Sequence, residues 1–129
     1  MNPTDPASEK RRVVIVGASD NTDRYAYKAL KMLKEQGYTV LPVHPRLTDI
    51  DGVAVFSDLS QITQSVDTVT LYVNPTIGAT LSEALLRLRP KRVIFNPGSE
   101  CPVLVSALEN TGIEAVEACT LVMLQTGQF

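Results

Sequence analysis

The chain has 129 residues, 44% of them hydrophobic and 20% charged, and a formal net charge of −2. That is ordinary globular usage at the size of one domain, long enough for a real core and too short for two. The slightly acidic balance excludes non-specific attraction to nucleic acid, no apolar run reaches the length of a membrane span, and the opening MNPTDPASEKRR does not read as a signal peptide. Cys101 and Cys119 form neither a metal-ligand spacing nor a secreted disulfide framework, which points to reduced thiols in a cytoplasmic protein.

Residues 1–11 contain two prolines and no apolar pattern, so they read as a disordered or extended lead-in to a single domain over 12–129. Val13-Val14-Ile15-Val16 is a continuous β-branched run ending at Gly17, the pattern of a strand buried on both faces. Ala26, Ala29, Leu30 and Leu33 then mark one face of a helix, and Gly37 stands where a left-handed cap would close it. Thr39-Val40-Leu41 begins a second strand that exits at Pro42 and Pro45, completing a βαβ unit.

Val53-Ala54-Val55 is expected as a short edge strand, with Ser57 or Asp58 capping a single helical turn before Ile62. Thr68 to Val73 forms the next strand. Asn74-Pro75 then opens a helix whose apolar face is Ile77, Leu81, Ala84, Leu85 and Leu88, and Pro90 ends it. Arg92-Val93-Ile94-Phe95 is a strand, Pro102 to Thr111 a helix closed by Gly112, and Ile113 to Val116 the last sheet strand. Cys119–Leu124 is apolar and is expected as a final strand or arm.

Strands separated by helices predict an α/β fold, a Rossmann-like doubly wound parallel sheet of about five strands in three α/β/α layers. With Val53–Val55 as the third strand, the expected order is 3-2-1-4-5. The switch point then falls between the strand ending at Gly17 and the strand ending at Val73, and ligands bind outside the strand ends there.

The loops at that edge read Gly17-Ala18-Ser19-Asp20-Asn21, Val43-His44-Pro45-Arg46, Tyr72-Val73-Asn74-Pro75 and Asn96-Pro97-Gly98-Ser99-Glu100. The first leads into a helix, whose free amides and positive dipole end suit a phosphate, and Gly17 would permit close approach of the backbone. The G-x-G-x-x-G fingerprint is absent, so the weight rests on the loops acting together. At the exit of the second strand an NAD site usually carries a carboxylate for the ribose. This chain has Arg46 instead, a forked cation suited to a ribose phosphate, which favours coenzyme A or NADP over NAD.

V-V-I-V-G-A-S, Arg24 opening a helix, G-Y-T-V-L-P-V-H-P, L-Y-V-N-P, N-P-G-S-E and a C-terminal segment with Cys119 together resemble the small stand-alone CoA-binding protein family. The resemblance covers residues 12–124 and extends to the N-terminal domain of the succinyl-CoA synthetase α subunit. It implies that Gly17, Ala18, Ser19 and Arg24 meet phosphates. It implies that Val43, His44, Pro45 and Arg46 embrace the adenosine 3′-phosphate end. Val73, Asn74 and Pro75 would line the adenine or diphosphate region, with Asn96, Gly98, Ser99 and Glu100 towards the pantetheine. Two stretches depart from the family pattern: His44 stands where Asn is common, and Tyr25, Ala26 and Tyr27 follow Arg24 where a glycine or other small residue often follows. The tyrosines would either narrow the pocket or stack on a base.

No catalytic constellation emerges. His44 is the only histidine and has no paired nucleophile, Ser19 lacks the G-x-S-x-G elbow, and Asp20 with Asp23 and Asp49 with Asp51 suit turns better than a metal. In succinyl-CoA synthetase-like enzymes the phosphorylated histidine lies on another domain, so a complete acyl-CoA ligase is not expected. Cys119 is a candidate for a mixed disulfide with the coenzyme, against the plainer role of a small buried hydrophobe. The expectation is a non-enzymatic binder of coenzyme A or acyl-CoA, with an NADP- or NAD-binding redox domain as the alternative. The ligand would be a small nucleotide, with a protein partner conceivable, no nucleic acid, no membrane, and a monomer or homodimer.

Overall fold

The computed structural model describes residues 11–129, and residues 1–10 of the lead-in expected over 1–11 lie outside them. In chain order the elements are β1 (Arg12–Val16), α1 (Tyr25–Glu35), β2 (Thr39–Val43), β3 (Asp49–Ile50), β4 (Val53–Ala54), a 3-10 turn (Leu59–Gln61), β5 (Thr68–Leu71), α2 (Pro75–Ala79), α3 (Ser82–Leu88), β6 (Arg92–Phe95), α4 (Pro102–Glu109), β7 (Glu114–Glu117) and α5 (Thr120–Gln125). Five strands form one wholly parallel sheet in the order β2-β1-β5-β6-β7. This is the α/β, Rossmann-like architecture expected, and β1 and β5 flank its switch point.

The apolar runs are strands because both faces of the sheet are covered. Val14, Val16, Leu71, Val93 and Phe95 pack with Leu85, Leu104 and Leu108 of α3 and α4 on one side. Val13 and Ile15 pack with Ala26, Tyr27, Leu30 and Leu33 of α1 and Leu124 of α5 on the other. Gly37 closes α1 at φ +90°, with the Tyr38 amide donating to the Leu33 carbonyl and the Gly37 amide to that of Lys34. That pair of bonds satisfies carbonyls the helix end would otherwise leave open.

Three expectations are corrected. Val53–Val55 is not the third strand of the main sheet, so the order is not 3-2-1-4-5. Val53 and Ala54 pair antiparallel with Ile50 and Asp49 as a separate two-stranded hairpin. Asp51 and Gly52 both have positive φ (50° and 81°), the conformation of a two-residue hairpin turn for which Asp-Gly is a favoured sequence. Phe56 joins β2 through one parallel bridge to Val43, in which the Phe56 amide donates to the Pro42 carbonyl and the His44 amide to that of Phe56. Pro42 therefore sits in β2 with its polar side turned away from β1, where its missing N–H costs the main ladder nothing.

Residues 119–124 do not form a strand or arm; they lead into α5, which buries Thr120, Leu121 and Leu124 at helical spacing. The helix expected from Ile77 through Leu88 is two helices. Gly78 has low helix propensity, and the Thr80 hydroxyl and amide both donate to the Ile77 carbonyl, closing α2 before α3 begins. α3 ends at Arg89 in the left-handed region (φ 53°), directly before Pro90. Among the described residues no helix is long and apolar enough to cross a membrane.

Candidate functional site

A cleft of about 620 Å³ opens at the switch point. The turn after β1 supplies Gly17, Ala18 and Ser19 to it, the start of α1 supplies Arg24, Tyr25 and Ala26, and the end of β2 supplies His44 and Pro45. Tyr72 and Val73 beyond β5 and Ile77 of α2 close the opposite wall, with Asn21 and Asp23 at the rim.

Gly17 fixes the geometry of this edge. Its φ is +84°, and a Cβ on it would lie 2.6 Å from the Tyr72 carbonyl oxygen and 2.9 Å from a Val73 methyl. Glycine is thus required by the approach of the β5 exit. The amides of Gly17 and Ala18 both donate to the Val43 carbonyl, at 3.2 and 3.1 Å. These two amides lock the β1 turn to β2. The open amides lie one turn later, where α1 starts at Arg24 in an extended conformation with no side-chain cap. An uncapped first turn carries unsatisfied N–H groups and the positive dipole end.

The polar side chains around the cleft share an orientation. Ser19 Oγ accepts the Asn21 amide, Asn21 Oδ1 accepts the Asp23 amide, and His44 Nδ1 accepts the amides of Arg46 and Leu47. In each case the acceptor is turned onto the protein's own backbone. The donor left over (a hydroxyl proton, an amide NH₂, an imidazole N–H) remains for other partners. With the Arg24 guanidinium and the α1 amides, the cleft is rich in donors, and Asp23 is the carboxylate on its rim.

The structure brings together Gly17, Ala18, Ser19, Arg24, His44, Pro45 and Val73 of the predicted site. The other predicted residues have different positions. Val43 is buried and presents its carbonyl to the β1 turn, and exposed Arg46 follows Pro45 beyond the lining. Asn74 caps α2, its Oδ1 accepting the Ile77 amide at 2.9 Å, and Pro75 is the first residue of that helix.

Asn96 is 2% exposed. Its Nδ2 donates to Thr70 Oγ1 (2.6 Å) and the Leu71 carbonyl (2.9 Å), and its Oδ1 accepts the Thr120 amide (2.9 Å). A further bond of 2.7 Å joins the Thr70 and Thr120 hydroxyls. This buried network ties β5, the exit of β6 and α5 together and engages both ends of the Asn96 side chain. Around it the Ser99 amide donates to the Asn96 carbonyl and the Gly98 amide to Glu100 Oε1. The 96–100 loop is thus folded on itself.

Asn21 and Tyr72, which stand in the predicted loops without an assigned role, line the cleft together with Asp23 and Ile77, which the sequence marks as a turn former and as part of a helix's apolar face. Ile77 belongs to the apolar stripe of its helix by spacing, yet stays 47% exposed on the cleft side. The two tyrosines after Arg24 part company. Tyr25 is 62% exposed at the cleft, with the Lys28 ammonium 5.5 Å from its ring. Tyr27 is buried, and its hydroxyl donates to Asp51 Oδ2, pinning α1 to the β3–β4 turn; that bond, then burial, raises its pKa.

Tyr72 lines the cleft, but its hydroxyl is buried and meets no hydrogen-bond partner among the described residues. Burial pushes its pKa up to about 12, opposed by the nearby Thr120 hydroxyl and helped by the Cys119 thiol. Cys119 itself is half-buried at the start of α5.

A doubly wound parallel sheet with a cleft at its switch point, walled by a helix N-terminus and the exits of three strands, defines a Rossmann-like α/β domain. The chain belongs to the CoA binding domain family, whose model matches residues 11–125. It is similar to the crystal structure of an uncharacterized protein at 43% identity, with a TM-score of 0.87 over 92% of this chain and 98% of that one. Cell-free ID.343 from Thermus thermophilus is 28% identical, with a TM-score of 0.84 over 100% of both chains. The apo form of dinucleotide-forming acetyl-coenzyme A synthetase 1 of Ca. Korarchaeum cryptofilum shares the fold, with a TM-score of 0.72 at 17% identity over 84% of this chain and 26% of that one. Uncharacterized protein YneT of Bacillus subtilis (strain 168) is 32% identical over 62 residues, 48% of this chain and 46% of that protein, so the match spans less than half of that relative.

Proposed function

We propose that the protein is a non-enzymatic binder of coenzyme A or an acyl-CoA, with the phosphates held at the carboxyl ends of the strands. The observation that carries this reading is the donor-rich cleft at the switch point of a chain in the CoA binding domain family. The uncapped start of α1 and Arg24 take the diphosphate. Arg46, exposed two residues beyond His44, reaches the ribose 3′-phosphate from the rim. Val73 and Ile77 give an apolar wall. No second reading is favoured by a specific observation, and the family match gives the nicotinamide cofactors no support.

Isothermal titration of ligand-stripped protein with coenzyme A, NADP and NAD tests the proposal. Saturable binding of coenzyme A in preference to both others is the expected result. Preference for a nicotinamide cofactor, or silence from all three, overturns it.

A further inference from the structure

Scattered apolar side chains on a surface are ordinary, whereas grouped ones mark an interface. Among the described residues the exposed large hydrophobic side chains are Tyr25, Ile77, Val103 and Val122. Tyr25 stands beside Lys28 at the cleft, and Val122 belongs to α5. Ile77 (47% exposed) and Val103 (72%) instead belong to two helices that touch. Where α2 packs on α4, the Cys101 thiol donates to the Pro75 carbonyl at 3.7 Å, and a Cβ on Gly78 would meet Cys101 Cβ at 3.7 Å.

The surface around this seam is free of charge. Residues 73–82 and 101–108 contain no Asp, Glu, Lys, Arg or His, in a chain that is 20% charged. Pro75, Thr76, Ala79 and Pro102 are exposed there beside Ile77 and Val103. The polar groups are partly spent: Asn74 Oδ1 accepts the Ile77 amide, and the Thr80 hydroxyl donates to the Ile77 carbonyl. Of the carboxylates that border the two stretches, Glu83 pairs with Arg87 at 3.0 Å and Glu100 Oε1 accepts the Gly98 amide, while Glu109 stands at the far end of α4. A neutral, partly apolar centre with charge at its edge is the make-up of a protein interface.

We propose that the α2–α4 face is the docking surface for a second copy of this chain, in a two-fold homodimer. The proposal goes beyond the coenzyme A reading and needs no ligand. The absence of charge selects the occupant. Complementary charge is what singles out an unlike partner, and this face offers none. Two copies of a chain with a net charge of −2 repel wherever acidic surface meets its image, and a neutral face meets its image without that cost. The two helices also match. Each opens on a proline followed within two residues by an exposed β-branched apolar side chain, Pro75 with Ile77 and Pro102 with Val103. Under a two-fold axis α2 of one copy lies over α4 of the other, so that each Ile77 meets a Val103 across the seam. Ile77 also lines the cleft, so the second copy borders the apolar wall of each ligand site.

Sedimentation velocity of the wild type, from low micromolar to near-millimolar concentration, should show a reversible shift from monomer to dimer. Val103→Glu sets like charges against each other in the interface and should weaken dimerisation by about a hundredfold or more. Because Val103 is exposed, the thermal midpoint should stay that of the wild-type monomer. Val122→Glu puts the same charge on α5 and should leave the dimer intact. In ¹⁵N-labelled wild type, dilution should move the amides of residues 74–80 and 102–106 and spare those of α5; these shifts decide the face even where a variant misfolds. A wild type that stays monomeric throughout overturns the proposal. So does a dimer that survives Val103→Glu, or one that Val122→Glu disperses equally. No arm contains a ligand, so failure of the dimer leaves the coenzyme A reading standing, and failure of the coenzyme A titration leaves the dimer standing.

Discussion

The loops that leave β1 and β6 are written in the same alphabet, Gly-Ala-Ser-Asp-Asn in one and Asn-Pro-Gly-Ser-Glu in the other. After β6 the polar groups close on one another: Asn96 is bonded to Thr70, Leu71 and Thr120, Ser99 to Asn96, and Gly98 to Glu100. After β1 the acceptors are bonded to backbone amides and the donors remain facing the cleft. Turn-forming residues at a strand exit thus have two uses, and burial decides between them. A side chain 2% exposed, like Asn96, must satisfy itself inside the protein, because an unmet polar group there costs about 1–3 kcal/mol. A rim side chain meets water or a ligand and carries no such obligation.

The largest test of this contrast is at Gly17, where the β1 loop meets the exits of β2 and β5. Gly17→Val places a β-branched residue at φ +84° and drives its Cβ against the Tyr72 carbonyl. Left-handed strain and overpacking together should cost about 3 kcal/mol or more. Denaturant unfolding should show that loss, with ligand binding falling as the cleft edge is displaced. A variant of wild-type stability would mean that the β1 and β5 exits can separate freely, and the cleft would lose its fixed geometry.

Asn96→Ala comes next. It leaves the Thr120 amide and the Thr70–Thr120 hydroxyl pair without their central partner, at about 2–3 kcal/mol. Binding by the fraction that remains folded should be close to that of the wild type, since Asn96 has no group to spare for a ligand. If stability holds and affinity collapses, the β6 loop belongs to the site and the contrast fails. Arg24→Ala should do the reverse. Its guanidinium is exposed at the cleft and caps nothing, so stability should stay within about 0.5 kcal/mol while affinity for coenzyme A drops by about 1.5–3 kcal/mol in titration. An equal loss for dephospho-coenzyme A would assign it to the diphosphate.

These two residues also show what the sequence discloses. The parallel sheet is legible because burial on both faces forces uninterrupted apolar runs such as Val13–Val16, and the cleft is legible because a switch point follows from strand order. Even the incorrect third strand leaves that switch point unmoved, since β1 and β5 remain neighbours. The Asp51-Gly52 signal of a hairpin is present in the sequence but stands beside a β-branched run that reads equally well as an edge strand. Which loop residues face the ligand is not legible, because the partners of Asn96 lie 24 to 26 residues away in sequence and are set by tertiary packing. The spacing of Asn96, Gly98 and Glu100 contains no trace of Thr70 or Thr120. By contrast, the bonds that orient Ser19, Asn21 and His44 span only two or three residues, and short-range turn chemistry could have revealed them.

The smallest expected effect lies where the two regions meet. Tyr72 lines the cleft, while its buried hydroxyl, close to Thr120 and Thr70, goes without a bonded partner among the described residues. Tyr72→Phe removes that unmet group and should leave stability at neutral pH unchanged or raise it by up to about 1 kcal/mol. The pH dependence is the sharper readout. The phenol is held at about 12 in the fold against an ordinary value of 10.0, so the folded state keeps its proton where the unfolded chain has lost it. The stabilisation tied to that proton is complete below about pH 10 and disappears as the pH rises through 12. Unfolding followed across this window should therefore show a steeper alkaline decline in the wild type than in Tyr72→Phe. Identical profiles would mean that the hydroxyl reaches water in the native state, and that the border between the cleft and the buried network lies deeper than Tyr72.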